Sequence, residues 1–114
     1  MFVLEQSPTF QAPVRLSIMP SAGGQRQVME FTAVFARLSQ DQLDSLGRRS
    51  VAEKWSDRRL AEELLRGWGT DVTANDQPLP YTPENREAVL NVAGCGAAVC
   101  SAFYAALPKA AEGN

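Results

Sequence analysis

The feature that most limits how this chain can fold is a pair of alternating segments joined by glycines. In FQAPVRLSIM, residues 10–19, Phe10, Ala12, Val14, Leu16 and Ile18 share one face of an extended segment, and Gln11, Pro13, Arg15 and Ser17 take the other. A period of two marks a half-buried strand. Pro13 has no amide to donate, which puts the strand at a sheet edge or makes it irregular near its start. PSAGGQ, residues 20–25, is a turn by composition. Residues 26–37 repeat the alternation, with Met29, Phe31, Ala33 and Phe35 on one face and Glu30 and Thr32 on the other. Two such strands around a Gly-Gly turn predict an antiparallel hairpin. A lone hairpin is marginal in water, so the rest of the chain must cover its apolar face.

That remainder reads as helical. Ser39 with Gln42 three residues on is a capping box, and Asp41 suits the positive end of the helix. Leu43 and Leu46 follow on one side. Gly47 weakens the segment, and Ser50 with Glu53 offers a second box, so residues 40–55 are one weak helix or two short ones. Ser56 or Asp57 caps the next helix. On it Leu60, Ala61, Leu64, Leu65 and Trp68 have the three-and-four spacing of a buried stripe, and Gly67 or Gly69 ends it. Thr82 as cap, Pro83 at the first position and Glu84 in the first turn open a helix to about Ala93, with Val89, Leu90 and Ala93 inward. Gly94 stops or bends it. Residues 95–107, CGAAVCSAFYAAL, form a last helix whose apolar side is Ala98 or Val99, Ala102, Phe103, Ala106 and Leu107. Its alanines and Gly96 let another helix approach closely. The expected fold class is α+β: an N-terminal antiparallel β-hairpin over about 10–37, followed by about four α-helices packed on it over about 40–107. A flexible tail at 108–114 completes a single domain spanning 1–114.

The chemistry available is narrow. The 114 residues include no histidine, so neither a Ser–His–Asp triad nor a Cys–His pair can form. Cys95 and Cys100 are five residues apart, about 140° around a helix, and so are not placed for a disulfide. They read as buried apolar side chains, with a small thiol enzyme as the remote alternative. In GWGTDVTANDQPLPYTPEN, residues 67–85, Asp71, Asn75 and Asp76 invite a calcium loop. Counted from Asp71, the sixth position is Asp76 rather than glycine, and the twelfth is Thr82 rather than glutamate. They read as turn formers. Glu62 and Glu63 diverge on a helix. Glu84 and Glu87 share a face beside Arg86 and read as solvated charges. Gly23 and Gly24 lie between strands and make no phosphate loop. The expectation is therefore no enzyme, no metal and no cofactor. A net charge of −2, with basic residues scattered apart from Arg48–Arg49 and Arg58–Arg59, argues against nucleic acid as a partner. No run approaches the roughly 18 apolar residues that span a membrane. The start, MFVLEQSPTF, lacks the basic region of a signal peptide. These features predict a cytoplasmic protein kept reduced, without a membrane partner.

One resemblance runs along almost the whole chain. Pro8, Thr9, Phe10, Ala12, Pro13 and Val14, then Glu30, Phe31 and Phe35, then a polar helix near Gln40, appear in the order seen in the tail assembly chaperones of long-tailed bacteriophages and prophages. The segment carried by Gly67, Trp68, Val72, Pro78, Leu79, Pro80, Tyr81, Thr82, Glu84 and Asn85 is similar to that family's most specific stretch. The ending with Phe103, Tyr104, Ala105 and Leu107 resembles the family's last helix. Two positions depart from it. A glycine expected near Asp76–Gln77 is missing, and Arg86 stands where leucine is expected. The resemblance implies a non-enzyme that binds and solubilises the hydrophobic tape measure protein in the host bacterial cytoplasm and assists tail tube polymerisation. It implies absence from the mature virion, and recruitment of tail tube protein through a frameshift-extended form. Self-association stays open. The candidate client-binding residues are Leu60, Leu64 and Trp68 with Phe103, Tyr104 and Leu107, although the same spacing also describes a core. The alternative is a small structural virion protein for tail completion or head–tail joining.

Overall fold

The computed structural model describes residues 1–109 and 111. The expected flexible tail at 108–114 therefore lies largely outside the described residues. The fold is α+β, with an N-terminal antiparallel β-hairpin followed by helices and further short strands. Strands β1 (Thr9–Ile18) and β2 (Gln27–Ala36) pair in register from Thr9 opposite Ala36 to Ile18 opposite Gln27. Phe10, Ala12, Val14 and Leu16 face the same side as Phe35, Ala33, Phe31 and Met29, as the alternation requires. Gly23 and Gly24 both adopt positive φ in the connection, the left-handed region in which glycine is unstrained.

Pro13 is explained by the ladder. Opposite it, Thr32 turns its amide to Asp71 Oδ2 and its carbonyl to the amide of Gly69, away from β1. Pro13 and Thr32 are thus a non-hydrogen-bonded pair, and the missing amide falls on the free edge of the sheet.

Helix α1 (Gln40–Ala52) begins with the expected capping box: Ser39 Oγ accepts from the Gln42 amide, and the Ser39 amide donates to Gln42 Oε1. It is one continuous helix. Ser50 starts no second helix; its hydroxyl donates to the carbonyl of Gly47 inside the helix. Just past the C-cap Glu53, Lys54 takes φ +53, a left-handed stop filled by a non-glycine residue. Ser56 caps helix α2 (Asp57–Leu64) by accepting from the Arg59 amide.

The expected continuation of α2 to Gly67 or Gly69 is wrong. The helix ends at Leu64, and Leu65–Trp68 form strand β3, antiparallel to β2. Trp68 pairs with Ala33 and Leu65 with Phe35, with a bulge at Arg66 between them. In a regular strand, residues three apart point to opposite faces. The extra residue puts both Leu65 and Trp68 on the core face, and so produces a helix-like spacing within a strand. The sheet is three-stranded, in the order β1-β2-β3.

A small hairpin follows, β4 (Thr73–Ala74) and β5 (Gln77–Pro78), turned by Asn75 and Asp76 at φ 51 and 61. Thr82 caps helix α3 (Pro83–Leu90): its hydroxyl accepts from the Asn85 amide. The helix stops before the expected Ala93, which is exposed. Gly94, at φ +83, turns the chain into helix α4 (Cys95–Ala105), where Ala106 is exposed instead of inward. Gly96 carries the close approach: a Cβ there would meet Arg58 Cα and N at 3.0 Å, so α4 crosses the start of α2 nearly at backbone contact. One core joins sheet and helices, with Val14, Ala33, Phe35, Ala61, Leu64, Leu65, Val99 and Phe103 at its centre. Among the described residues no single helix is long and apolar enough to cross a membrane. The bent pair α3 and α4 would reach that length only together, and they meet at 99°.

Candidate functional site

The residues of the GWGTDVTANDQPLPYTPEN stretch converge on a clasp. Trp68 Nε1 donates to the carbonyl of Leu79 at 2.7 Å, and its ring meets Tyr81 edge-on at 4.8 Å between centroids. The Tyr81 hydroxyl reaches back to the carbonyl of Leu65 at 3.2 Å. Asn85 Nδ2 donates to the Pro80 carbonyl at 2.8 Å, which ties the extended Pro-Leu-Pro span to the first turn of α3. The extended Pro-Leu-Pro backbone has few internal partners, and the clasp supplies them from side chains. Asp71 is engaged within the fold. Asp71 Oδ2 accepts from the Thr32 amide at 2.9 Å and the Thr32 hydroxyl at 3.0 Å, which closes the edge of β2 where β3 ends. Asn75 and Asp76 form the turn.

The six candidate client-binding residues do not make one surface. Leu64 and Phe103 are fully buried. Phe103 sits in an aromatic cluster with Phe10 and Phe35, at 5.9 and 5.5 Å between centroids. Leu60, Trp68 and Leu107 pack partly buried against that core, and Trp68 stands on a strand, not on the stripe of α2. Tyr104 is 46% exposed.

The apolar surface left open lies elsewhere. Beyond Val14 and Phe31 the core face of the hairpin runs on past the helix that covers its other end. There Leu16, Ile18, Met29 and Phe31 from the sheet face Val72, Val89, Val92 and Cys95 across a groove of about 220 Å³. Met29 is 59% and Val92 47% exposed, although both belong to the apolar side. The alternation of β1 and β2 carried this signal, since that face stays apolar to Ile18 on β1 and to Met29 on β2, while α4 begins only at Cys95 in the groove wall. Glu30 and Asp71 also line the groove, and no Lys or Arg does. Glu30 is paired with Arg15 at 2.7 Å, and among the described residues no ion pair reaches Asp71.

A second open place is a shelf of about 620 Å³ beside the free edge of β1, lined by Ala97, Ala98, Ser101, Ala102, Ala105 and Pro13 among others. The two arginine doublets noted in the sequence meet around one ring: Arg49 and Arg59 lie 5.0 and 4.5 Å from the Trp55 centroid. Each also pairs with a glutamate, Glu53 or Glu63, so they form a held lattice of charges on α1 and α2.

Both thiols are buried and free. Burial raises the Cys95 pKa, and burial followed by the charge of Asp57 pushes Cys100 up to about 11. Cys100 Sγ also donates to the Asp57 carbonyl at 3.4 Å, a bond only the protonated thiol can make. Neither cysteine has the lowered pKa of a nucleophile. The arrangement suits holding an apolar partner. No family model, curated protein or solved structure matches the chain.

Proposed function

We propose that this protein is a tail assembly chaperone of a long-tailed bacteriophage or prophage. In this reading it binds and solubilises the tape measure protein in the host cytoplasm and assists tail tube polymerisation around it. The observation that carries the reading is the chain-wide order of motifs, from Pro8–Val14 through Gly67–Trp68 and Pro78–Thr82 to Phe103–Leu107. The geometry lends support in two ways. The Gly-Trp and Pro-Leu-Pro-Tyr-Thr elements meet in one clasp, which gives a physical reason for that combination of residues. The open apolar groove is the kind of surface on which a helical client is held. Such a client is long and each grip on it is weak. Many copies bound along one client then hold it by avidity. A frameshift-extended form would bring in tail tube protein, and the finished virion would lack the chaperone.

The test is co-expression with a tape measure protein, the long helical client this reading requires. The expected result is a client that stays in the supernatant and co-elutes with this chain. An insoluble client with no complex sinks the proposal. Mass spectrometry of purified particles provides a second decision, because finding this chain in finished virions replaces the chaperone with a joining or completion protein.

A further inference from the structure

The groove at the open end of the hairpin combines three properties. It is apolar on both walls, with Leu16, Ile18 and Met29 facing Val89 and Val92. It is small: at about 220 Å³ it falls below the roughly 300–1,000 Å³ of small-molecule sites, and suits one or two side chains of a larger partner. Its acidic lining residues are Glu30 and Asp71, but the Glu30 side chain lies on the opposite face of the hairpin with Arg15, so Asp71 supplies the charge. Arg15 compensates Glu30, and Asp71 is held by the neutral Thr32, so the rim keeps a net negative charge.

From these we infer that the groove docks an amphipathic helix whose apolar stripe is flanked by lysine or arginine. This rests on the chaperone reading for the helical nature of the client, and names its seat and its charge. Apolar anchors enter between Met29 and Val92, and a basic flanking residue lies over the Asp71 side. Apolar contact supplies the hold, and the charge selects among helices of equal hydrophobicity. The fully buried Leu64 and Phe103 take no part. The alanine shelf beside β1 is not the seat, because no carboxylate lines it and its one charged residue, Arg15, is already paired with Glu30.

The chain has three methionines, Met1, Met19 and Met29, so methyl labelling gives one reporter inside the groove and two outside. The full chain is titrated with a synthetic amphipathic helix flanked by lysines, and with the same helix flanked by glutamates. The expected result is a saturable shift of the Met29 methyl with the basic peptide, several-fold weaker binding of the acidic one, and little movement of Met1. Met29→Asn, at an exposed position, is expected to weaken the basic peptide at least about tenfold, as loss of a central anchor does. Ala105→Asp on the shelf is expected to leave binding unchanged. No Met29 shift, equal affinity for both peptides, or loss of binding in the shelf variant overturns the assignment. So does a Met29 shift that depends only on the concentration of the chain itself, which assigns the groove to a second copy. Co-expression separates the two readings. A client kept soluble equally by wild type and Met29→Asn removes the groove and leaves the chaperone. A groove that binds the basic peptide in a chain that fails to hold the client removes the chaperone and leaves the groove.

Discussion

Asp71, Asn75 and Asp76 look alike in sequence and do different work. Asp71 closes a strand edge through its carboxylate, while Asn75 and Asp76 matter through their backbones. Both central residues of the β4–β5 turn have positive φ, as a tight two-residue hairpin turn requires. Asparagine tolerates that region, and the second position favours glycine, the residue the family resemblance leads one to expect there. Asp76→Gly is therefore expected to stabilise the fold by about 0.5–1 kcal/mol, as relief of left-handed strain outweighs the entropy glycine adds to the unfolded chain. A higher urea midpoint at unchanged slope checks it. Cys100 makes a second prediction. Its folded pKa of about 11 lies above the ordinary 9.0, so the unfolded chain releases its proton first as pH rises. Its contribution to stability is complete below pH 9 and is lost between about 9 and 11. The alkaline fall in stability should flatten in Cys100→Ala, even though that variant starts lower. Neither residue's role could be read from its type alone: positive φ and burial are properties of the fold around it.

At the scale of elements, two helical glycines separate cost from purpose. Gly47 lies inside α1 with nothing within 4 Å of where a Cβ would sit. Gly96 lies where a Cβ would strike the backbone of Arg58 at 3.0 Å. Gly47→Ala is expected to stabilise by about 0.5–1 kcal/mol, from helix propensity alone. Gly96→Ala is expected to destabilise by about 1–3 kcal/mol, because α4 must move off α2. Thermal melts of both variants check the opposite signs. The same contrast explains which elements were legible. The hairpin, the Ser39 box and the caps of α2 and α3 are local in origin and could be read from the sequence. The close helix crossing was also foreseen, from Gly96. The strand β3 was not, because its bulge gave Leu65 and Trp68 the spacing of a helix. Gly47 and Ser50 suggested a break that the rest of α1 overrides. The last turns beyond Leu90 and Ala105 were overextended, since alanine and valine favour or tolerate helix while only tertiary packing decides where it stops.

At the scale of the molecule, one cluster links both layers, so sheet and helices should unfold together. Trp55 reports on the α1–α2 junction and Trp68 on the sheet. Tryptophan fluorescence and far-ultraviolet circular dichroism should give coincident transitions, and separated midpoints would show two units instead of one. The candidate surface was half legible. The strands announced more apolar face than a short last helix could cover, but which residues remain open depends on where α4 begins. Two of the candidates read from spacing, Leu64 and Phe103, are core instead. The bulge at Arg66 has one more consequence. Leu65 pairs with Phe35 and Gly67 with Val34, so Arg66 is surplus to the ladder. A chain with Arg66 deleted would make every one of those pairs in an unbroken strand. The joint between α2 and β3 is thus a place where this fold can lose a residue and keep its inside and outside in phase.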